Sequence, residues 1–320
     1  MTTHPIKSFC RLGIISIIMI YIVILAGGIV RASGAGMGCP DWPTCFGQWI
    51  PPTQESQLPP NYHEIYAQRG YQNTQFNPLK TWTEYSNRLV GASLGLVMLL
   101  LALSGRHYLK TDKPIFYLAL SAFLLVGFQG WLGSVVVASN LQPLKITLHM
   151  LMALFLVGLL IYTVTRSQRP ILNTLQLNIL PAKFEKVLTA ALVMTLLQIS
   201  MGTQIREVID FIANEHSYIA RSSWRDDFPV IFYVHRSFSS IILLTNLWLS
   251  WQCRKHKVLI NTSRFLILLV VTGILAGVSL DRLGFPALAQ PIHLLMANMI
   301  FGTQFFLYSC LRLYKKGVIK

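Results

Sequence analysis

Two short polar stretches each open a long apolar run: Glu84-Tyr85-Ser86-Asn87-Arg88 and Tyr233-Val234-His235-Arg236. Two more apolar runs carry a histidine near their start, His149 and His293. Carboxylates, imidazoles and guanidinium groups are costly in hydrocarbon, so at the mouth of a membrane segment they are functional candidates by default. Two imidazoles at one level on parallel helices can clamp a haem iron from both faces inside a helical bundle, and His235 with His293 forms such a pair. The residues around them are mostly Leu, Ile, Met, Phe and Ala, which suit a porphyrin. Zinc fits less well, because no compact His, Cys and carboxylate set with metal-ligand spacing is present. The plainer alternative is that each histidine hydrogen-bonds a neighbouring helix, an accident that would have to recur at equivalent places.

The first polar stretch is built differently. Asn87 stands where its counterpart has His235, and a neutral amide is a very weak ligand for haem iron, so His149 is the one strong ligand on that side. Glu84 lies one helical turn from Asn87 and shares its face, which puts a carboxylate beside whatever His149 holds. Its competing use is an ion pair with Arg88, four residues on. Arg88 and Arg236 could neutralise propionates or snorkel to the interface. The arrangement reads as asymmetric, with one saturated haem for electrons and one open site for chemistry.

The elements that must position these residues are membrane helices. The chain has 320 residues, 53% hydrophobic and 12% charged, and its apolar runs approach the roughly 20 residues that cross a bilayer. Spans are expected at about 12–31, 82–104, 114–138, 144–165, 187–206, 229–252, 264–281 and 289–311. The net charge of +15 excludes little by itself, but the basic residues form no single nucleic-acid patch. Lys7, Arg11, Arg106, Lys183, Arg254, Lys255, Lys257, Lys315 and Lys320 fall in short loops on the side of both termini, which the positive-inside rule makes cytoplasmic. No small-residue cleavage site follows the first apolar run, so that helix is expected to be retained.

The halves repeat. Leu148-His149-Met150-Leu151-Met152-Ala153 matches Ile292-His293-Leu294-Leu295-Met296-Ala297, at an offset close to that between the Asn87 and His235 stretches. The fold expected is therefore an all-α membrane protein, eight transmembrane helices forming two parallel-repeat four-helix bundles. Residues 1–165 form the first half, with the substrate site and a long outer loop at 32–81. Residues 187–320 form the second half with the cofactor site, and 166–186 a cytoplasmic linker. Gly130 with Gly133 and Gly273 with Gly277 are expected to let neighbouring helices approach closely. Asn87, His149, His235 and His293 should lie at one depth, roughly 10 Å below the outer helix ends. Of the five cysteines, Cys39 and Cys45 share the first outer loop and alone invite a disulfide argument.

Gly27-Gly28-Ile29-Val30-Arg31, then Gly36-Met37-Gly38-Cys39-Pro40-Asp41-Trp42-Pro43-Thr44-Cys45, then Glu84-Tyr85 and the later histidines together resemble the haem A synthase family over nearly the whole chain. The resemblance implies two four-helix halves in a bacterial cytoplasmic (inner) membrane and oxidation of the C8 methyl group of haem O to the formyl group of haem A, for cytochrome oxidase assembly. It implies haem b as cofactor on His235 and His293, haem O as substrate beside His149 and Glu84, and a Cys39–Cys45 disulfide. Its partners would be the lipid bilayer and the haem O synthase that supplies substrate, with no nucleic acid; the electron acceptor is not written in the residues. Two departures stand out. The family's second-helix motif ends Glu-x-x-His-Arg where this chain has Asn87-Arg88, and the second cysteine pair of some members is absent from 207–228.

The residues permit stepwise oxidation through an electrophilic benzylic-type carbon captured by water, with Glu84 as the catalytic carboxylate. A non-catalytic di-haem protein, carrying electrons or delivering haem, is the rival from another class, and the Asn87 position favours it. A transporter is a third reading, unsupported by any broken helix pair at the midplane.

Overall fold

A computed structural model of the chain describes residues 3–172, 174, 175, 177, 180–215, 228–254, 256 and 259–318. Lys255, Lys257, Lys320 and much of the third outer loop lie outside the described residues. The described residues form helices and no strand: α1 Thr3–Ala32, a short α2 Tyr62–Ile65, α3 Pro78–Ser104, α4 Lys113–Ala138, α5 Pro143–Ser167, a short α6 Arg169–Leu172, α7 Lys183–Glu215, α8 Val230–Cys253, α9 Leu259–Arg282 and α10 Ala289–Val318. Among them eight are long and apolar enough to cross a membrane. Several outrun the expected spans, α1 by nine residues at its start and α7 by nine at its end. Hydropathy marks what sits in hydrocarbon, whereas the backbone ladder continues into the interface until a cap or breaker stops it.

Starts and stops follow local chemistry. Asn77 caps α3 by accepting the Lys80 N–H at 3.1 Å, and Pro78, at the first position of the helix, needs no donor there. Asn140 and Leu141, both at positive φ, turn the chain between α4 and α5.

The chain divides into two compact units, Met1–Leu156 and Val157–Lys320, with the boundary inside α5. In the first, α1 packs on α3 and α3 on α4. The outer loop of this unit folds around its own small core, in which the Phe46 ring meets Tyr62, Tyr66, Tyr71 and Phe76 edge-on. In the second unit α7 packs on α8, α8 on α9, α9 on α10, and α10 back on α7, a closed four-helix ring. Leu188, Leu249, Leu266 and Leu307 fill its centre, and Leu172 and Leu177 from the 166–186 connection join that core.

Candidate functional site

In the second unit His235 on α8 and His293 on α10 face each other, ring centroids 6.2 Å apart and planes crossing at 62°. Each ring rests on a glycine of the preceding helix: a Cβ at Gly202 would meet His235 Cε1 at 3.4 Å, and one at Gly277 would meet His293 Cε1 at 3.1 Å. His293 Nδ1 lies 2.8 Å from the Gly273 carbonyl oxygen. A carbonyl only accepts, so Nδ1 carries the hydrogen and the Nε2 lone pair is left for a metal. His235 is fixed through its backbone, whose carbonyl accepts from Gln198 Nε2 at 2.9 Å; its buried Nδ1 has no protein partner.

Two imidazoles bound to one metal at about 2 Å per bond would have centroids about 6 Å apart, a spacing that this pair matches. Among the described residues no group of three or more His, Cys, Asp or Glu side chains converges. A pair supplies two ligands, which suits iron whose other four positions belong to a macrocycle. The residues present therefore fit a bis-histidine haem.

In the first unit the same device recurs once. His149 on α5 lies against Gly133 of α4, where a Cβ would reach its Cε1 at 3.5 Å, and Gln129 Nε2 donates to the His149 carbonyl at 2.9 Å. The His149 Nδ1 is buried without a protein partner, as are Asn87 Oδ1 and Trp82 Nε1. Gly130, expected at a close helix approach, has open space at its Cβ position.

Glu84 is tied to the outer loop. Its side chain is 5% exposed; Oε1 accepts from Arg88 at 2.6 Å and Oε2 from the Cys39 N–H at 2.8 Å. Arg88 also donates to the carbonyls of Asp41, Thr44 and Cys39. Asp41 completes the loop by accepting from the Phe46 and Gly47 N–H groups and the Thr44 hydroxyl. Cys39 and Cys45 are disulfide-bonded within it. The close approach requires Gly38, because a Cβ there would fall 2.4 Å from the Lys80 carbonyl oxygen, and Thr81 Oγ1 donates to the Gly38 carbonyl at 2.8 Å. Tyr71 donates to the Met37 carbonyl at 2.7 Å; burial, with Glu84, Tyr62 and Asp41 adding, raises its phenol well above the ordinary range and keeps it neutral. Arg236, 48% exposed, lies 3.6 Å from Asp281.

The family model for cytochrome oxidase assembly proteins, COX15-CtaA, matches residues 10–305, a stretch that holds every residue of both constellations. The chain belongs to this family. It is 24% identical over 303 residues to the haem A synthase of Alkalihalophilus pseudofirmus, covering 91% of this chain and 93% of the relative. Against the haem A synthase of Shewanella oneidensis identity rises to 36%, over 157 residues that cover 48% of this chain and 45% of the relative. The haem A synthase of Shouchella clausii matches at 31% over 144 residues, 45% of this chain and 40% of the relative. The chain thus spans under half the length of these last two relatives in the matched region.

In this member of the assembly family the structure brings together His235 with His293, and Glu84 with Arg88 and the Cys39 loop. His149 has its contacts on α4. Sequence reading overlooked Gln129 and Gln198, whose amides bind the histidine carbonyls; the signal was the shared Gln-x-x-x-Gly spacing to Gly133 and Gly202.

Proposed function

We propose that the protein is a haem A synthase, oxidising the C8 methyl group of haem O to a formyl group in haem A biosynthesis for cytochrome oxidase. The observation that carries the reading is the His235–His293 pair, two imidazoles with centroids 6.2 Å apart in a chain that matches the assembly family over residues 10–305. His235 and His293 would hold haem b, which when bound supplies a one-electron relay. His149 would ligate the substrate haem, with Asn87 leaving the opposite face without a strong ligand.

The conversion of the methyl group to the formyl group takes up one water and releases four protons and four electrons. It proceeds through the alcohol and then the geminal diol, which loses water. Glu84 acts at the carbon. As an ionised carboxylate it has about four acceptor sites, and Arg88 and the Cys39 N–H use two. The remainder can stabilise positive charge developing on the methyl carbon and accept a proton from the attacking water. Arg88 and the disulfide loop orient that carboxylate. The protein would lie in a bacterial cytoplasmic membrane, both termini inside, and receive haem O from its synthase.

The rival reading, a non-catalytic di-haem carrier, draws on Asn87 and on the Arg88 pairing of Glu84. Incubating purified protein with haem O and an artificial oxidant, then extracting the pigments, separates the two. Formation of the alcohol and of haem A supports the synthase; haem O recovered unchanged beside haem b supports the carrier.

A further inference from the structure

Below the histidine pair, the second unit holds a chain of buried amides with no place in the chemistry above. Thr195 Oγ1 on α7 donates to Gln304 Oε1 on α10 at 3.0 Å; Gln304 Nε2 donates to Asn246 Oδ1 on α8 at 3.0 Å; Asn246 Nδ2 donates to the Ile242 carbonyl at 2.8 Å. Asn246 and Gln304 are fully buried and Thr195 nearly so. Asn246 follows His235, and Gln304 follows His293, by the same number of residues, about three helical turns, so each amide lies on the face of its histidine. At the corresponding places after Asn87 and His149 stand Met98 and Leu160, both apolar and buried.

We infer that Asn246 and Gln304 are positioning residues for the histidine pair, setting the axial register of α8 against α10. The inference rests on the reading of His235 and His293 as haem ligands. Apolar helix surfaces in a membrane pack with little preference between neighbouring registers, whereas an amide-to-amide bond is satisfied in one. A slip of one turn would move His293 by about 5.4 Å along its axis, far more than axial ligation at about 2 Å can absorb. Thr195 extends the same constraint to α7, the helix whose Gln198 and Gly202 seat His235. A polar link of this kind specifies an arrangement rather than adding stability, as a single buried Asn does in a coiled coil.

The test compares the protein with Asn246→Leu/Gln304→Met, which keeps volume and removes the amides, and with the exchange Asn246→Gln/Gln304→Asn, which keeps both. Spin labels at Leu244→Cys and Phe306→Cys, in a background with Cys10, Cys253 and Cys310 changed to Ala, report the α8–α10 register without reference to haem. Both label positions are exposed, at 66% and 37%. Expected for the apolar variant are a broadened or shifted label distance and a mixture of low-spin and high-spin haem, with thermal stability equal to or above that of the unsubstituted protein. The amide exchange should restore a single distance and a single low-spin species. If the apolar variant does not fold, Gln304→Met alone severs the α8–α10 amide bond and should broaden the distance in the same sense. An unchanged distance in the apolar variant, or in Gln304→Met where that variant decides, overturns the inference. A broadened distance in a protein that never binds bis-histidine haem would leave the register role standing and remove the haem assignment instead.

Discussion

Glu84→Gln separates catalysis from haem binding in one substitution. The side chain keeps its size and reach but loses its charge and one acceptor oxygen. In the native arrangement two donors converge on the carboxylate, Arg88 at 2.6 Å and the Cys39 N–H at 2.8 Å. The amide of Gln can accept from one of them, and its NH2 must then face the other. Arg88 is 13% exposed, and loss of its counter-charge would cost about 3–5 kcal/mol if nothing else bound it. Three loop carbonyls still accept from it, so the loss should fall toward the lower end of that range. The His235–His293 pair belongs to the other compact unit, and its low-spin spectrum should survive. Conversion of haem O should fall by about 10²–10⁴-fold, the range for a positioned acid or base. The assay is single-turnover conversion followed by pigment extraction, run beside the spectrum and a melting curve. Undiminished conversion in Glu84→Gln would refute the catalytic role and leave Glu84 as the structural partner of Arg88.

Other outcomes follow from the same geometry. Gly277→Ala places a methyl 3.1 Å from His293 Cε1 and 3.4 Å from Nδ1, closer than the ordinary 3.5–4.0 Å contact; it should cost about 1–3 kcal/mol and weaken the low-spin signal, and an unchanged spectrum would count against the seating role of that glycine. Thiol labelling of denatured, unreduced protein should modify Cys10, Cys253 and Cys310 and spare Cys39 and Cys45, whereas labelling of all five would remove the disulfide. Asn87→His places an imidazole where a buried Oδ1 has no protein partner, and should tighten the substrate haem or turn it low-spin without rescuing Glu84→Gln. Titration showing no spectral change would mean that Asn87 does not face the iron.

The long helices were legible because hydropathy alone identifies segments that must satisfy every backbone group internally. Their ends were less so, since α7 continues to Glu215 through a stretch whose apolar run is interrupted by Glu207 and Asp210. His235 and His293 were legible as a pair from equal depth on parallel helices, and the Cys39–Cys45 bond from proximity in one loop. The fate of Arg88 was hidden: its partners are the carbonyls of Cys39, Asp41 and Thr44, and a carbonyl carries no mark in sequence. Asn246 and Gln304 were passed over because lone amides in apolar runs gain meaning only when three helices bring them within hydrogen-bonding distance.

The most direct test of the proposed haem on His235 and His293 is the low-temperature EPR and absorption spectrum of the chain as purified, alongside His235→Ala and His293→Ala. A bis-histidine low-spin signal in the unsubstituted protein, lost in each single variant, is the predicted result; the same low-spin signal undiminished in both variants would contradict it.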